Sequence, residues 1–165
     1  MKMIDPILME LDQEAATTRL LLQRVPATQL GWRPHAKSRT LGELAHHISV
    51  SQGHVAKAIQ TPTYDLGQRE GSTPDSVEAI IADFDASTAE ARRLLGNMSD
   101  EDLMSVWEGQ VGGRTVFKSP KMGVVRTIVM NHIIHHRGQL TTYLRQLDVP
   151  LPSVYGPTAD ENPFV

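Results

Sequence analysis

His132-Ile133-Ile134-His135-His136-Arg137-Gly138-Gln139-Leu140 is the stretch on which the reading of this chain turns. It sets three histidines within five residues of an apolar, helix-forming run. Residues four apart on a helix lie one above the other, so His132 and His136 come within reach of a single ion. On a wheel of about 100° per residue, His136 falls about 40° from His132. Val125, Ile128, Val129, Leu140 and Tyr143 lie within about 80° of it. The pair is therefore expected in the middle of a core-facing stripe. Imidazoles buried there need partners. A divalent cation would satisfy both; hydrogen bonds to carbonyls or water are the alternative. His135 lies about 60° to the other side and belongs at the edge of the packing, behind the ligands or simply solvated.

Working outward, the helix that carries this stretch is predicted over 120–147, from Ser119-Pro120 to a stop before Pro150. Three more helices have the same 3.6-residue period. The first covers 5–22, with Asp5 as a cap and Pro6 at the first helical position. The second covers 40–59 and opens on the capping box Thr40-Leu41-Gly42-Glu43. The third covers 74–95, with Thr73-Pro74-Asp75 as its start and Gly96-Asn97 as its stop. Between them, 29–38 is expected as a structured loop and 61–72 as a polar, exposed one. In 99–118, Ser99-Asp100-Glu101-Asp102 can start a short helix, and Trp107 to Phe117 with Gly112-Gly113 can form a small hairpin. The tail from Pro150 has four prolines and no helical pattern. These features predict an all-α fold: a four-helix bundle forming a single domain over 1–165, with a small irregular insertion before the last helix.

The second helix supplies His46, His47 and His54. With Leu44, Ile48, Val55 and Ile59 marking the core, His47 lies roughly 100° from the centre and His46 roughly 155°. His47 on the flank is the preferred third ligand. His54 is a secondary candidate, His46 should point outward, and His35 falls in a loop with no special role. Three neutral imidazoles give zinc an open fourth position, the arrangement of a catalytic site. Zinc or nickel leads; iron, manganese and cobalt also suit the donors. Gly138 within a helix costs about 1 kcal/mol relative to alanine and points to close helix packing in preference to room beside the metal.

Composition excludes several classes. The chain of 165 residues has no cysteine, so disulfides, thiolate ligands and a cysteine nucleophile are ruled out. There is no Gly-x-Ser-x-Gly elbow, phosphate loop or His-Glu-x-x-His. A net charge of −3 argues against nucleic-acid binding. No apolar run is long enough to span a membrane, and the start lacks a signal-peptide core, so a cytoplasmic protein is expected.

Thr40-Leu41-Gly42-Glu43-Leu44-Ala45-His46-His47-Ile48, the His132-x-x-x-His136-Arg137-Gly138-Gln139-Leu140 segment and the tail Pro152-Ser153-Val154-Tyr155-Gly156-Pro157-Thr158-Ala159-Asp160 together resemble the DinB family, or DinB/YfiT-like metalloenzymes. The resemblance implies a four-helix bundle with a divalent metal on three histidines, matching His47, His132 and His136. It also implies chemistry in which the metal activates a low-molecular-weight thiol for S-transfer, or a hydrolase using metal-bound water. The alternative is a non-catalytic metal- or small-ligand-binding stress-response protein. The expected partners are a small-molecule substrate and a second copy in a homodimer, with no nucleic acid or membrane. Tyr155, Asp160 and Glu161 are candidates to reach the site if the tail folds over it.

Overall fold

A computed structural model describes residues 1–67 and 72–164. Part of the expected 61–72 loop therefore lies outside the described residues. Helix α1, Asp5–Leu22, begins with Pro6 in its first turn, where the missing N–H is not needed. Its N-cap is Ile4; Asp5 sits one place later and accepts the Lys2 amide at 2.7 Å. Helix α2, Leu41–Ala58, opens on the expected capping box, with Thr40 and Glu43 satisfying each other's backbone N–H. Helix α3, Val77–Gly96, starts later than expected because Ser76, not Thr73, caps it by accepting the Ala79 amide at 3.1 Å. A short helix α4, Asp100–Met104, follows on a second capping box made by Ser99 and Asp102.

The strict all-α expectation is corrected by a three-stranded sheet. Strand β1 is Thr63–Asp65, β2 is Val106–Val111 and β3 is Arg114–Pro120, in the order β1-β2-β3. The insertion before the last helix contains the hairpin expected of Trp107 to Phe117: an antiparallel pair with an irregularity in register at Gly109/Gln110, turning at Gly112 and Gly113, with φ +57° and +76°. Two successive positive φ values are what a tight two-residue hairpin turn requires, and glycine adopts them without strain. Strand β1 joins β2 in parallel, more than forty residues away in sequence. Trp107 anchors the sheet: its ring is buried and its Nε1–H donates to the Ala58 carbonyl at 3.1 Å, at the end of α2.

The expected fourth helix is continuous in direction but not in kind. Lys121–Val124 is helix α5, Val125–Asn131 is a π segment, and His132–Gln146 is helix α6. Helix α2 packs on α3 and α6, and α1 packs on the same two. Two core clusters fill the space between them. One gathers Ile4, Leu11, Ile59, Trp107 and Val129 near the sheet; the other gathers Leu22, Leu44, Ile48, Phe84 and Leu140 at the opposite end. Helices α2 and α3 approach closely at Gly53, where a Cβ would lie 2.8 Å from the Ser87 hydroxyl. No described helix is long and apolar enough to cross a membrane.

Candidate metal centre

His47 lies two turns into α2, and His132 and His136 occupy the first turns of α6. Because α2 packs on α6, the three rings meet between the helices. The ring centres are 4.3 Å apart for His132–His136, 4.5 Å for His47–His136 and 5.1 Å for His47–His132, each pair near perpendicular. One ring nitrogen from each residue lies within 4.8 Å of those of the other two. The Nε2 atoms of His132 and His136 are 2.9 Å apart. Among the described residues this is the group of histidines and acids whose donor atoms could hold a metal ion.

Local bonds prepare these rings. His136 Nδ1 lies 2.7 Å from Gln139 Oε1. A carbonyl oxygen only accepts, so Nδ1 carries the proton and leaves the Nε2 lone pair facing the other two rings. Burial holds His136 below the ordinary imidazole range; the Gln139 bond opposes this, and His47, His135 and Arg39 add to it. A ring that stays neutral keeps its lone pair for a cation. The donor set therefore fits a divalent ion: three imidazole nitrogens converge, with no fourth protein donor in the group among the described residues.

Of the remaining histidines, His46 departs from expectation and the secondary candidate His54 does not join the group, while His135 and His35 lie as expected. His46 is buried, not outward, and its Nε2 lies 3.9 Å from Asp83 of α3. The wheel failed there because α3 covers a second face of α2. His54 is outside the triad; its Nε2 is 2.7 Å from the Tyr64 hydroxyl. His135 is exposed, with its ring centre 4.9 Å from that of His136, as a group at the edge should be. His35 accepts the Lys37 amide at 3.1 Å in its own loop.

The face of α6 also differs. Its buried residues are Ile133, Arg137, Leu140 and Leu144, while His132 and His136 are half-buried at the edge of that stripe. Of the expected stripe, Val125, Val129 and Leu140 are buried, but Val125, Ile128 and Val129 lie in the π segment. A π turn holds more residues than an α turn, so a constant 100° step carries the wrong phase across it.

Arg137 is the residue that sequence reasoning missed. It is 2% exposed and its guanidinium pairs with Glu14 of α1 at 2.6 Å. The same group donates to the Glu14 carbonyl and the Thr18 hydroxyl, each at 3.3 Å. The Tyr155 hydroxyl donates to the other Glu14 oxygen at 2.7 Å, and the Arg137 guanidinium lies 5.0 Å from the Tyr155 ring centre. Its position beside His136 in the motif was the available signal, since a cation next to a core-facing ligand must itself find a partner.

The tail does fold onto the molecule, but its polar residues are engaged elsewhere. Asp160 binds the Arg145 guanidinium and accepts the Leu151 amide at 2.9 Å; Glu161 accepts the Ser153 amide. Tyr155, Asp160 and Glu161 are thus tied to α1, α6 and the tail itself, and none joins the histidine group. Between the tail and α6 lies a groove of about 480 Å³ lined by Gly138, Thr141, Leu151, Val154 and Tyr155. A Cβ on Gly138 would meet nothing within 4 Å, so close helix packing does not explain that glycine.

Residues 10–140 match the DinB superfamily, and the chain belongs to that family. It is 26% identical to the uncharacterized protein YrdA of Bacillus subtilis strain 168 over 161 residues, covering 96% of this chain and 91% of that one. Its fold is similar to the crystal structure of a DinB-like protein from Bacillus cereus, with a TM-score of 0.73, 25% identity and coverage of 92% and 97% of the two chains. A DinB-like protein of Bacillus subtilis, YjoA, has a similar fold at TM-score 0.71 and 20% identity, covering 91% of this chain and 97% of its own.

Proposed function

We propose that this protein is a divalent-metal-dependent enzyme in which His47, His132 and His136 hold the ion, and that its reaction is S-transfer from a low-molecular-weight thiol. Activation of water for hydrolysis is the runner-up within the same chemistry. The observation that carries the reading is the convergence of three ring nitrogens within 4.8 Å of one another. We also infer that the four long helices form a four-helix bundle around this centre, since α1, α2, α3 and α6 each pack on two of the others.

A bound divalent ion on neutral ligands lowers the pKa of a thiol or water that joins it, supplying a nucleophile near neutral pH. The chain's own residues prepare for that role. Gln139 fixes the His136 tautomer. The Arg137–Glu14 pair ties α6 to α1. No cysteine is present to act as the nucleophile, so the sulfur must come from outside.

Two measurements test this. Elemental analysis of untagged protein should give one equivalent of divalent metal, lost in His132→Ala. Thiol consumption should then be followed with bacillithiol, mycothiol, glutathione and coenzyme A against an electrophile panel. Activity that vanishes on chelation and returns with zinc or nickel supports the enzyme. Full metal content in His132→Ala refutes the ligand set. A metal-loaded protein with no turnover of any thiol or ester would put the non-catalytic binding protein ahead.

A further inference from the structure

The groove between the tail and α6 lies apart from the histidine centre. Counted around α6 from His132, Ile134, Gly138 and Thr141 fall about 180–240° away, on the side turned from the triad. Its volume of about 480 Å³ is that of a small-molecule site. Ile134, Leu151, Pro152, Val154 and Pro157 make its walls largely apolar. Gly138 opens it on the helix side. Glycine is a poor residue for a helix interior, and here neither close packing nor a positive φ calls for it. What its missing side chain leaves is the space of the groove.

The side-chain donors around the groove are unequally engaged. The Thr141 hydroxyl donates to the Gly138 carbonyl at 2.7 Å, and the Thr158 hydroxyl to the Leu151 carbonyl at 2.9 Å. The Tyr155 hydroxyl donates to Glu14, although it lies close enough to the Arg137 guanidinium to feel its charge. Arg137 lines the groove too. Its Nη1 meets the Glu14 carboxylate, the Glu14 carbonyl and the Thr18 hydroxyl. Its Nη2 is buried and finds no acceptor among the described residues. A buried N–H without an acceptor is costly, and an oxygen held in the groove would relieve it. The charge, by contrast, is already balanced. Arg137 and Glu14 pair one to one, and among the described residues no other charged side chain lines the groove. An anion at Nη2 would set a second negative charge against the buried Glu14 carboxylate; an uncharged oxygen does not.

We propose that this groove is a second binding site, which takes a small uncharged molecule with an apolar body and a carbonyl oxygen that accepts from Arg137 Nη2. The site depends neither on the ion nor on the thiol-activating reading. The walls hold the body, and the oxygen adds one hydrogen bond from a charged donor.

The test is a fluorine NMR titration of the whole chain with 4-fluoroacetophenone, 4-fluoroethylbenzene and 4-fluorobenzoate. The first has the carbonyl, the second lacks it and the third replaces it with a charge. The ketone should bind about tenfold more tightly than either of the others, the scale of one such hydrogen bond. Gly138→Leu should weaken the ketone at least about tenfold without loss of zinc stoichiometry or melting temperature, because leucine suits a helix and fills open space. Glu14→Leu with Arg137→Met removes the donor without leaving a buried charge; it should still bind the ethyl compound and show no preference for the ketone. No saturable shift with the ketone, or one that Gly138→Leu leaves unchanged, would overturn the site. Benzoate binding as tightly as the ketone would overturn the uncharged class, and a ketone preference surviving in the double variant would overturn the role of Arg137. A dimer seen by light scattering that Gly138→Leu converts to monomer would put a second copy in the groove and overturn the proposal.

Discussion

At the scale of single residues, the site depends on how an imidazole is aimed. Gln139 sits one turn beyond His136, and its amide oxygen accepts the hydrogen bond from the His136 Nδ1–H. Groups behind metal ligands typically contribute about 10- to 100-fold in affinity. Gln139→Leu should therefore weaken zinc binding by about that factor while leaving the saturated stoichiometry at one. Competition with a chromophoric chelator measures it, and unchanged affinity would remove Gln139 from the site. His46 provides the contrast. Its ring is buried against α3 and lies apart from the three-ring group. His46→Ala should keep its metal and lose thermal stability, because it leaves a cavity and not a broken coordination shell. Loss of metal in that variant would show that adjacency to His47, and not the ring contacts, decides ligation.

At the scale of elements, α1 and α6 are tied by a buried ion pair, to which the exposed Tyr155 of the tail adds a hydrogen bond. Arg137 and Glu14 are both almost wholly enclosed, at 2% and 9% side-chain exposure. Removing one partner of such a pair leaves the other charged and buried, at a cost of about 3–5 kcal/mol. Glu14→Ala should be destabilised by about that amount in urea unfolding, and Glu14→Leu with Arg137→Met should recover much of it. A double variant as unstable as the sum of the singles would mean that the pair stabilises beyond mutual compensation. The tail has a second tie. Arg145, followed by the Leu151 amide, holds the Asp160 carboxyl below its ordinary value of 3.8. A depressed carboxyl stabilises the folded tail above that value, and the contribution disappears as pH falls through the folded pKa. The Leu151 amide shift should therefore titrate with a midpoint below 3.8. A midpoint at or above it would mean that Asp160 is not latched in solution.

At the scale of the whole molecule, net charge bears on which partners are expected. The net charge of −3 leaves little counterion release to drive binding to a phosphate backbone. No salt-sensitive binding to random duplex DNA is expected at physiological salt, checked by fluorescence anisotropy; submicromolar affinity would reverse this. The two core clusters separate the sheet end from the end where the tail's Leu151 and Val154 pack.

What the sequence by itself determined is what local chemistry controls. The start of α2 was legible because a capping box is made by residues three apart. The turn at Gly112-Gly113 was legible because glycine alone accepts those dihedrals cheaply. The His132–His136 pair was legible because four residues of helix stack two side chains, and His47 followed from its place beside the core face of α2. The tertiary structure decided the rest. Strand β1 pairs with β2 from more than forty residues away, where Trp107 docks the hairpin against the end of α2. His46 is buried because α3 covers it, and Arg137 is neutralised by a carboxylate 123 residues earlier in the chain. The π segment shifts the face of α6 by a change in helical pitch that no fixed periodicity contains. Each of these is a contact or a phase set by packing between distant segments, and a pattern of neighbours along the chain carries no information about which distant surface will cover it.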